Sequence, residues 1–379
     1  MYQIKGTINS DNAAALEKDI MSVLPNELDA AELEYISSAG LRVLLKLAKA
    51  VGHMTICNVN RDIYEIFSTT GFTAMMDIIK KPREISLENA ELIGAGANGR
   101  VYRLNGEQIV KLYNPVSNPP EKIRREQKSA REAFIHGVPS AIPFDIVSAG
   151  DETGMIYELV DAQTLGTFVH NQPEKLEEYA LKMSSLLKKL HSTVMPDGAL
   201  PDARISLRVW TDIAEKSGFF AKNDLQKVCE LIDSIPPRNT FIHGDFHPGN
   251  IMLSDGELIL IDMGDASVGH PVTDLLGTYQ IMRFLPTYNE KAAMRYTSMS
   301  SDEVIRMWDI FIRDYLETHN ESVIKEFETS ITSYCQIRSL GGIVFSDVIP
   351  DEKRRAMSAI IMKNLLQGIE KADAAIKLL

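Results

Sequence analysis

The run FIHGDFHPGNIML (residues 241–253) constrains this chain more than any other segment. It sets Asp245 and Asn250 in the spacing D-x-x-x-x-N, and Asp262 follows the apolar stretch Leu258 to Ile261. That is the spacing of a catalytic loop for phosphoryl transfer, and the chemistry explains the residue types. One carboxylate orients an acceptor hydroxyl and takes its proton, while an amide oxygen and a second carboxylate hold Mg²⁺, a hard cation, against phosphates. His243 and His247 also stand at i, i+4, the spacing of a metal pair. The intervening Gly244, the following Pro248 and Gly249, and the lack of a glutamate in the HExxH position argue against a zinc hydrolase. His243 reads instead as a packed, hydrogen-bonded loop residue, and Gly249 as the small residue of a tight turn beside Asn250.

Upstream, Gly94, Gly96 and Gly99 form G-x-G-x-x-G, with Val101 completing a further x-V. Two unrelated folds use this pattern, and context separates them. A dinucleotide-binding turn opens a helix, whereas here the chain continues as VYRL, the turn pair Asn105-Gly106, and EQIVKLY. Two strands joined by Asn-Gly predict a hairpin, which makes the glycine-rich segment a lid over ATP phosphates. Lys111 lies in the second strand, where a kinase lysine meets the α- and β-phosphates; alone it would be a solvated strand residue. Its carboxylate partner belongs on the next helix, EKIRREQKSAREAF, which starts after Pro119-Pro120. Glu126 shares a face with Ile123, Ala130 and Ala133, while Glu121 and Glu132 lie roughly opposite, so Glu126 is the expected partner; a solvated helix charge is the alternative.

Residues from about 86 onward resemble the aminoglycoside phosphotransferase and choline kinase-like family, whose signature HGD-x-x-x-x-N followed by ID is here His243, Gly244, Asp245, Asn250, Ile261 and Asp262. The resemblance implies a bilobal protein kinase-like fold that uses ATP and Mg²⁺. By that resemblance Asp245 is the catalytic base, Asn250 and Asp262 are the metal ligands, and Lys111 with Glu126 orients the nucleotide. Glu158 to Val160 would be the hinge whose backbone meets adenine. Gly244 replaces the arginine of protein-kinase HRD, and only a short run separates Asp262-Met263-Gly264 from Gly269-His270-Pro271, which argues against an activation loop switched by phosphorylation. Asp274 matches an aspartate that supports the loop in this family; helix capping accounts for it equally well.

The first 84 residues alternate β-like runs (YQIKGTI, ELDAAELEYI, MTICNV) with helical ones (AAALEKDIMSVL, AGLRVLLKLAKAV), which predicts a small α/β sheet domain. The segment LEYISSAGLRVLLKLAK, with the later EIFSTTGF, resembles the STAS family of anti-sigma factor antagonists. In that family a serine at the mouth of this helix is phosphorylated, and Ser38 occupies the matching position. Helix N-terminal amides favour an added phosphate. A plain N-cap role for Ser37 or Ser38 is the alternative, and Ser37 and Ala39 depart from the residues common in the family.

The expected organisation is therefore α/β and α+β multidomain: a STAS-like domain at 1–84, a β-rich lobe at 85–160 and a mainly helical lobe at 161–379. Lys80, Lys81, Pro82, Arg83 and Glu84 read as a short charged linker. A formal charge of −12 gives no whole-chain attraction for nucleic acid. The three cysteines are far apart, the N-terminus has no signal pattern, and no apolar run is long enough to span a membrane, so a soluble cytoplasmic protein is expected. Ser300 and Glu303 predict a capping box for a helix whose Val304, Trp308, Phe311, Ile312 and Tyr315 form a core face. Asp302, Asp309 and Asp314 read as solvated acids, and no acceptor-binding residue is assigned. Three functions stand at this point. The first is a phosphotransferase acting on a small-molecule hydroxyl with a regulatory or partner-docking STAS-like domain. The second is a signalling kinase for a serine of its own or a partner's STAS domain, and the third a non-catalytic ATP-sensing switch.

Overall fold

The computed structural model describes residues 1–96, 99–160, 162–344 and 350–379. The chain divides into two compact units, one of residues 1–86 with 146–151 and one of 87–145 with 152–379.

The first unit runs β1 (Tyr2–Ile8), α1 (Ala13–Val23), β2 (Glu27–Ile36), α2 (Ser38–Val51), β3 (Thr55–Val59), α3 (Arg61–Thr69), β4 (Asp77–Lys80) and β5 (Arg83–Glu84). Strands β1 to β4 pair in chain order and in parallel, because a helix crosses over between each strand and the next. In β2 the buried positions Leu28 and Ala30 alternate, then slip to Leu33 and Ile36, and irregularities in the β1–β2 register accompany the slip. Helix α2 turns Gly40, Val43, Leu44 and Leu47 toward the core, the spacing of one helical face. Gly40 lets α2 approach closely: a Cβ there would lie 2.6 Å from Ile8 Cγ2 and 2.8 Å from Ile36 Cγ1. The charged segment expected as a linker is partly strand. Arg83 and Glu84 pair in parallel with Val147 and Ser148, since only the imino nitrogen of Pro82 is lost to the ladder.

The second unit opens with β6 (Glu91–Gly96), β7 (Gly99–Arg103), β8 (Gln108–Tyr113), α4 (Pro120–Ile135) and β10 (Glu152–Glu158), with strand order β10-β8-β7-β6; β9 (Pro143–Ala149) belongs to the first unit from Ile146 on. The β7–β8 hairpin forms as expected, but with a four-residue loop in place of a two-residue turn. Asn105 Oδ1 accepts from Glu107 N at 2.8 Å, an Asx turn that needs no positive φ at Gly106. Then come β11 (Gln163–Thr164), α5 (Leu165–Asn171), α6 (Leu176–Ser192), α7 (Ala203–Ser217), α8 (Lys222–Asp233), β12 (Phe241–Ile242), β13 (Ile251–Ser254), β14 (Glu257–Leu260) and β15 (Ser267–Val268). Helices α9 (Val272–Tyr279), α10 (Leu285–Tyr288), α11 (Glu290–Thr297), α12 (Ser301–Tyr315), α13 (Glu321–Val344), α14 (Asp351–Gly368) and α15 (Asp373–Lys377) complete it, with a π-helical turn at Gln280–Phe284 between α9 and α10. The capping box of Ser300 and Glu303 is present, and Val304, Trp308, Phe311 and Ile312 are buried in the main core. No helix among the described residues is long and apolar enough to cross a membrane.

Candidate active site

The glycine-rich segment lies on two paired strands, with Gly96 opposite Gly99 and Gly94 opposite Val101; residues 97–98 are outside the described residues. Gly99 is required there: its φ is +150°, and a Cβ would fall 1.9 Å from Leu112 O on the neighbouring strand. Gly94 meets Val101 at an ordinary 3.7 Å, and nothing lies within 4 Å of a Cβ at Gly96.

Strand β8 carries Lys111 inward to α4. Lys111 Nζ lies 2.9 Å from Glu126 Oε1 and 3.1 Å from Asp262 Oδ1, so the structure brings together three groups drawn from three separate segments. Burial pushes the ammonium pKa down, but Asp262 and Glu126 outweigh it and the net shift is upward. The lysine is therefore charged at any physiological pH. Glu126 is itself buried, and its Oε1 also accepts from Tyr157 OH at 2.8 Å. Burial keeps the Tyr157 phenol protonated and hence a donor. Glu158 follows directly: its N donates to Ile142 O, its Oε1 accepts from Ile142 N at 2.9 Å, and Leu159 N donates to Glu107 O at 2.7 Å. These bonds fix the chain that leads into Val160.

The catalytic-loop candidates converge as well. Asn250 Nδ2 donates to Asp245 O at 2.9 Å and to Asp245 Oδ2 at 3.0 Å, closing the D-x-x-x-x-N turn on itself. Ile261 N donates to Asn250 O at 3.0 Å, which sets Asp262 beside the loop. Asp262 has φ +62°, a left-handed conformation that aspartate tolerates better than most residues and that recurs at functional sites. Both histidines serve the loop. His243 Nδ1 accepts from Asp245 N and Nε2 donates to Ile261 O, while His247 Nδ1 accepts from Gly249 N and Nε2 lies 3.5 Å from Asp245 Oδ2. Gly249 lies in the tight turn expected beside Asn250, a 3-10 turn over Pro248–Asn250, and it also permits a close approach: its Cβ would sit 2.0 Å from Tyr296 O.

Of the two accounts of Asp274, the loop-supporting one holds. Its carboxylate accepts from His243 N at 2.9 Å and Gly244 N at 2.6 Å and meets His191 Nε2 at 3.0 Å. Gly244 has φ +84°, and a Cβ would lie 2.6 Å from Asp265 O, so the arginine of HRD has no room there. A guanidinium nevertheless reaches the loop from α13: Arg338 Nη2 donates to Asp245 Oδ1 at 3.1 Å and Nη1 to Gly244 O at 3.2 Å. Burial raises the Asp245 pKa, but His247 and Arg338 outweigh it and hold the carboxyl well below the usual carboxylate range. Asp262 is lowered too, Lys111 overcoming its burial. Sequence reasoning missed Arg338, Tyr157 and His191. For Arg338 a signal existed: it is the sole charge in the run Ser330–Val344.

In the first unit, Ser37 is the N-cap of α2, accepting from Gly40 N at 3.4 Å, and Ser38 is the first helical residue, with its side chain exposed.

Comparison with known proteins assigns both parts of the chain to families. Residues 89–308 match the family described as "Phosphotransferase enzyme family", and residues 1–85 match the STAS domain. A putative anti-sigma factor antagonist, BtrV of Bordetella bronchiseptica, is 33% identical over 84 residues, 20% of this chain and 72% of that protein. The serine/threonine protein kinase RdoA of Salmonella typhimurium is 28% identical over 195 residues, 46% of this chain and 58% of the kinase, less than two thirds of its length. A choline/ethanolamine kinase family protein from Mesorhizobium loti superimposes with a TM-score of 0.48 at 15% identity, covering 76% of this chain and 91% of that one. The chain belongs to the phosphotransferase enzyme family, an enzyme with a kinase-like unit fused behind an N-terminal STAS domain.

Proposed function

We propose that this enzyme moves the γ-phosphate of ATP, with Mg²⁺, to the hydroxyl of a small molecule, and that its STAS domain regulates it or docks a protein partner. The observation that carries the reading is the meeting of Lys111, Glu126 and Asp262 beside the closed Asp245–Asn250 loop. The donor set suits Mg²⁺. Asn250 spends its Nδ2 on Asp245, which turns its amide oxygen into the available donor, and Asp262 supplies a hard carboxylate. When bound, the ion neutralises charge on the phosphates. Lys111, held by Glu126, meets the α- and β-phosphates, the glycine-rich hairpin covers them, and the Glu158–Val160 backbone receives adenine.

Asp245 takes part as an ionised group. It accepts a hydrogen bond from the acceptor hydroxyl and aligns that oxygen with the γ-phosphorus. As the new P–O bond forms and the bond to ADP breaks, the hydroxyl proton passes to Asp245. A carboxylate held well below its usual pKa takes the proton only after the hydroxyl has begun to bond to phosphorus and become acidic, so its first role is to position that hydroxyl.

A serine acceptor is the second reading. It is favoured by the similarity to a protein named as a serine/threonine protein kinase and by the exposed Ser38 at the start of α2. Intact-protein mass spectrometry after incubation with MgATP, beside Asp245→Ala and followed by peptide mapping, separates the two. Phosphate gained by wild type alone and mapped to Ser38 selects the serine. No gain by either protein, with ATP consumed in the presence of a small hydroxylated acceptor, selects the small molecule. Equal transfer by Asp245→Ala in both settings removes both.

A further inference from the structure

We propose that Arg338 is a positioning residue for phosphoryl transfer, clamping the carboxylate of Asp245 from a helix that lies outside the segment matching the family. This inference rests on the reading of Asp245 as the base. The matched segment ends at residue 308, whereas α13 spans Glu321–Val344. Within Ser330–Val344 every other residue is uncharged, and the Arg338 side chain is only 19% exposed. A buried charge is retained at a cost unless it is paired and hydrogen-bonded. Here both terminal nitrogens are used, Nη2 on Asp245 Oδ1 at 3.1 Å and Nη1 on Gly244 O at 3.2 Å.

Two glycines make the arrangement possible. At Gly277 on α9 a Cβ would lie 2.2 Å from Arg338 Nη1, so the helix face is hollowed where the guanidinium passes. At Gly244 the positive φ and the nearby Asp265 carbonyl exclude any side chain within the loop. The cation is therefore delivered from α13, where Asp265 and Asp274 attract it along with Asp245.

The consequence is orientation. Oδ2 of Asp245 receives Asn250 Nδ2 at 3.0 Å, and Oδ1 receives Arg338. With a donor on each oxygen the carboxylate cannot rotate about its Cβ–Cγ bond, so the atom that meets the acceptor hydroxyl is fixed in place. Small errors in such an alignment cost up to about 100-fold in rate.

The test is ADP release from MgATP by the full chain with water as acceptor, comparing wild type, Arg338→Met, Arg338→Ala, Arg338→Lys and Asp245→Asn. We expect Arg338→Met to lose about 10- to 100-fold in kcat with the KM for ATP changed less than about twofold, because the Lys111 cluster is untouched. Guanidinium ion added to Arg338→Ala should restore part of kcat, and should do nothing for Asp245→Asn. Arg338→Lys, which retains the charge but reaches only one of the two acceptors, should fall between wild type and Arg338→Met, and it carries the test if the Met and Ala variants do not fold. A folded Arg338→Met or Arg338→Lys with wild-type kcat overturns the inference, as does a loss confined to KM or one that guanidinium leaves unchanged. If Asp245→Asn releases ADP as fast as wild type, with water or with a small hydroxylated acceptor, the reading of Asp245 itself fails, and this inference with it.

Discussion

The two units differ in what they bury. Among the described residues, every buried side chain of residues 1–86 is apolar, whereas the second unit buries Glu126, His243, His247, His270 and Asp274 among others. Removing a charge from water costs several kcal/mol even after relaxation, and an apolar core of similar volume is often as stable. The first core is thus what stability alone produces. The second carries an added cost, and four of its buried groups, Glu126, His243, His247 and Asp274, hold Lys111 or the Asp245 loop. Asp274 illustrates the difference: fully buried, it spends its carboxylate on the His243 and Gly244 amides, which hold the shape of the Asp245 loop, and on His191 of α6.

The strongest way to break this contrast is Asp245→Asn. If the buried charges of the second unit serve transfer, ADP release should fall by about 10²- to 10⁴-fold while MgATP binding by calorimetry persists. Next is Lys111→Met, which leaves the Glu126 and Asp262 carboxylates without their cation. Stability measured by denaturant titration should drop by roughly 3–5 kcal/mol, with weaker ATP binding, and adding Glu126→Gln should recover part of that loss. In the first unit Leu44→Ala should cost about 2–5 kcal/mol, read from hydrogen exchange of the β1–β3 amides, as a purely apolar core requires.

The pH dependence sharpens the contrast further. Asp245, Asp262 and Asp274 have folded pKa values below normal, so the stability they contribute is present above the unfolded value of roughly 3.9 and is lost only as pH falls through the folded values. His270 acts earlier. Burial first, then Arg238 and His191, lower it from 6.5 to about 4, so between those values the unfolded chain binds the extra proton and the fold weakens as pH drops. In His270→Asn the denaturant midpoint should be flatter over that window. The smallest effect belongs to the first unit: Ser37→Ala removes the α2 N-cap and should cost about 1 kcal/mol.

What the sequence made legible was whatever depends on short spacing. Asp245, Asn250 and Asp262 lie within eighteen positions, the β7–β8 hairpin follows from its turn residues, and Glu126 emerges from helical periodicity against the apolar positions of α4. Features that depend on distant segments meeting were not legible. Arg338 stands out as the lone charge in Ser330–Val344, but that it reaches Asp245 across 93 positions, as Tyr157 reaches Glu126 across 31, is encoded by no local pattern. The strand at Arg83–Glu84 escaped for the same reason, since its partner at Val147–Ser148 lies far along the chain. Gly249 was legible as a turn residue, but its close approach to Tyr296 O leaves no mark in the sequence.

The central claim is that the buried charges of the second unit form a working phosphotransfer site around Asp245. Phosphorus NMR of MgATP, following the γ-phosphate with wild type and Asp245→Asn side by side, tests it most directly. The account predicts steady loss of the γ resonance with wild type, in the presence of a hydroxyl acceptor or water, and an unchanged spectrum with the variant. Loss of the resonance at the same rate with both proteins would contradict it.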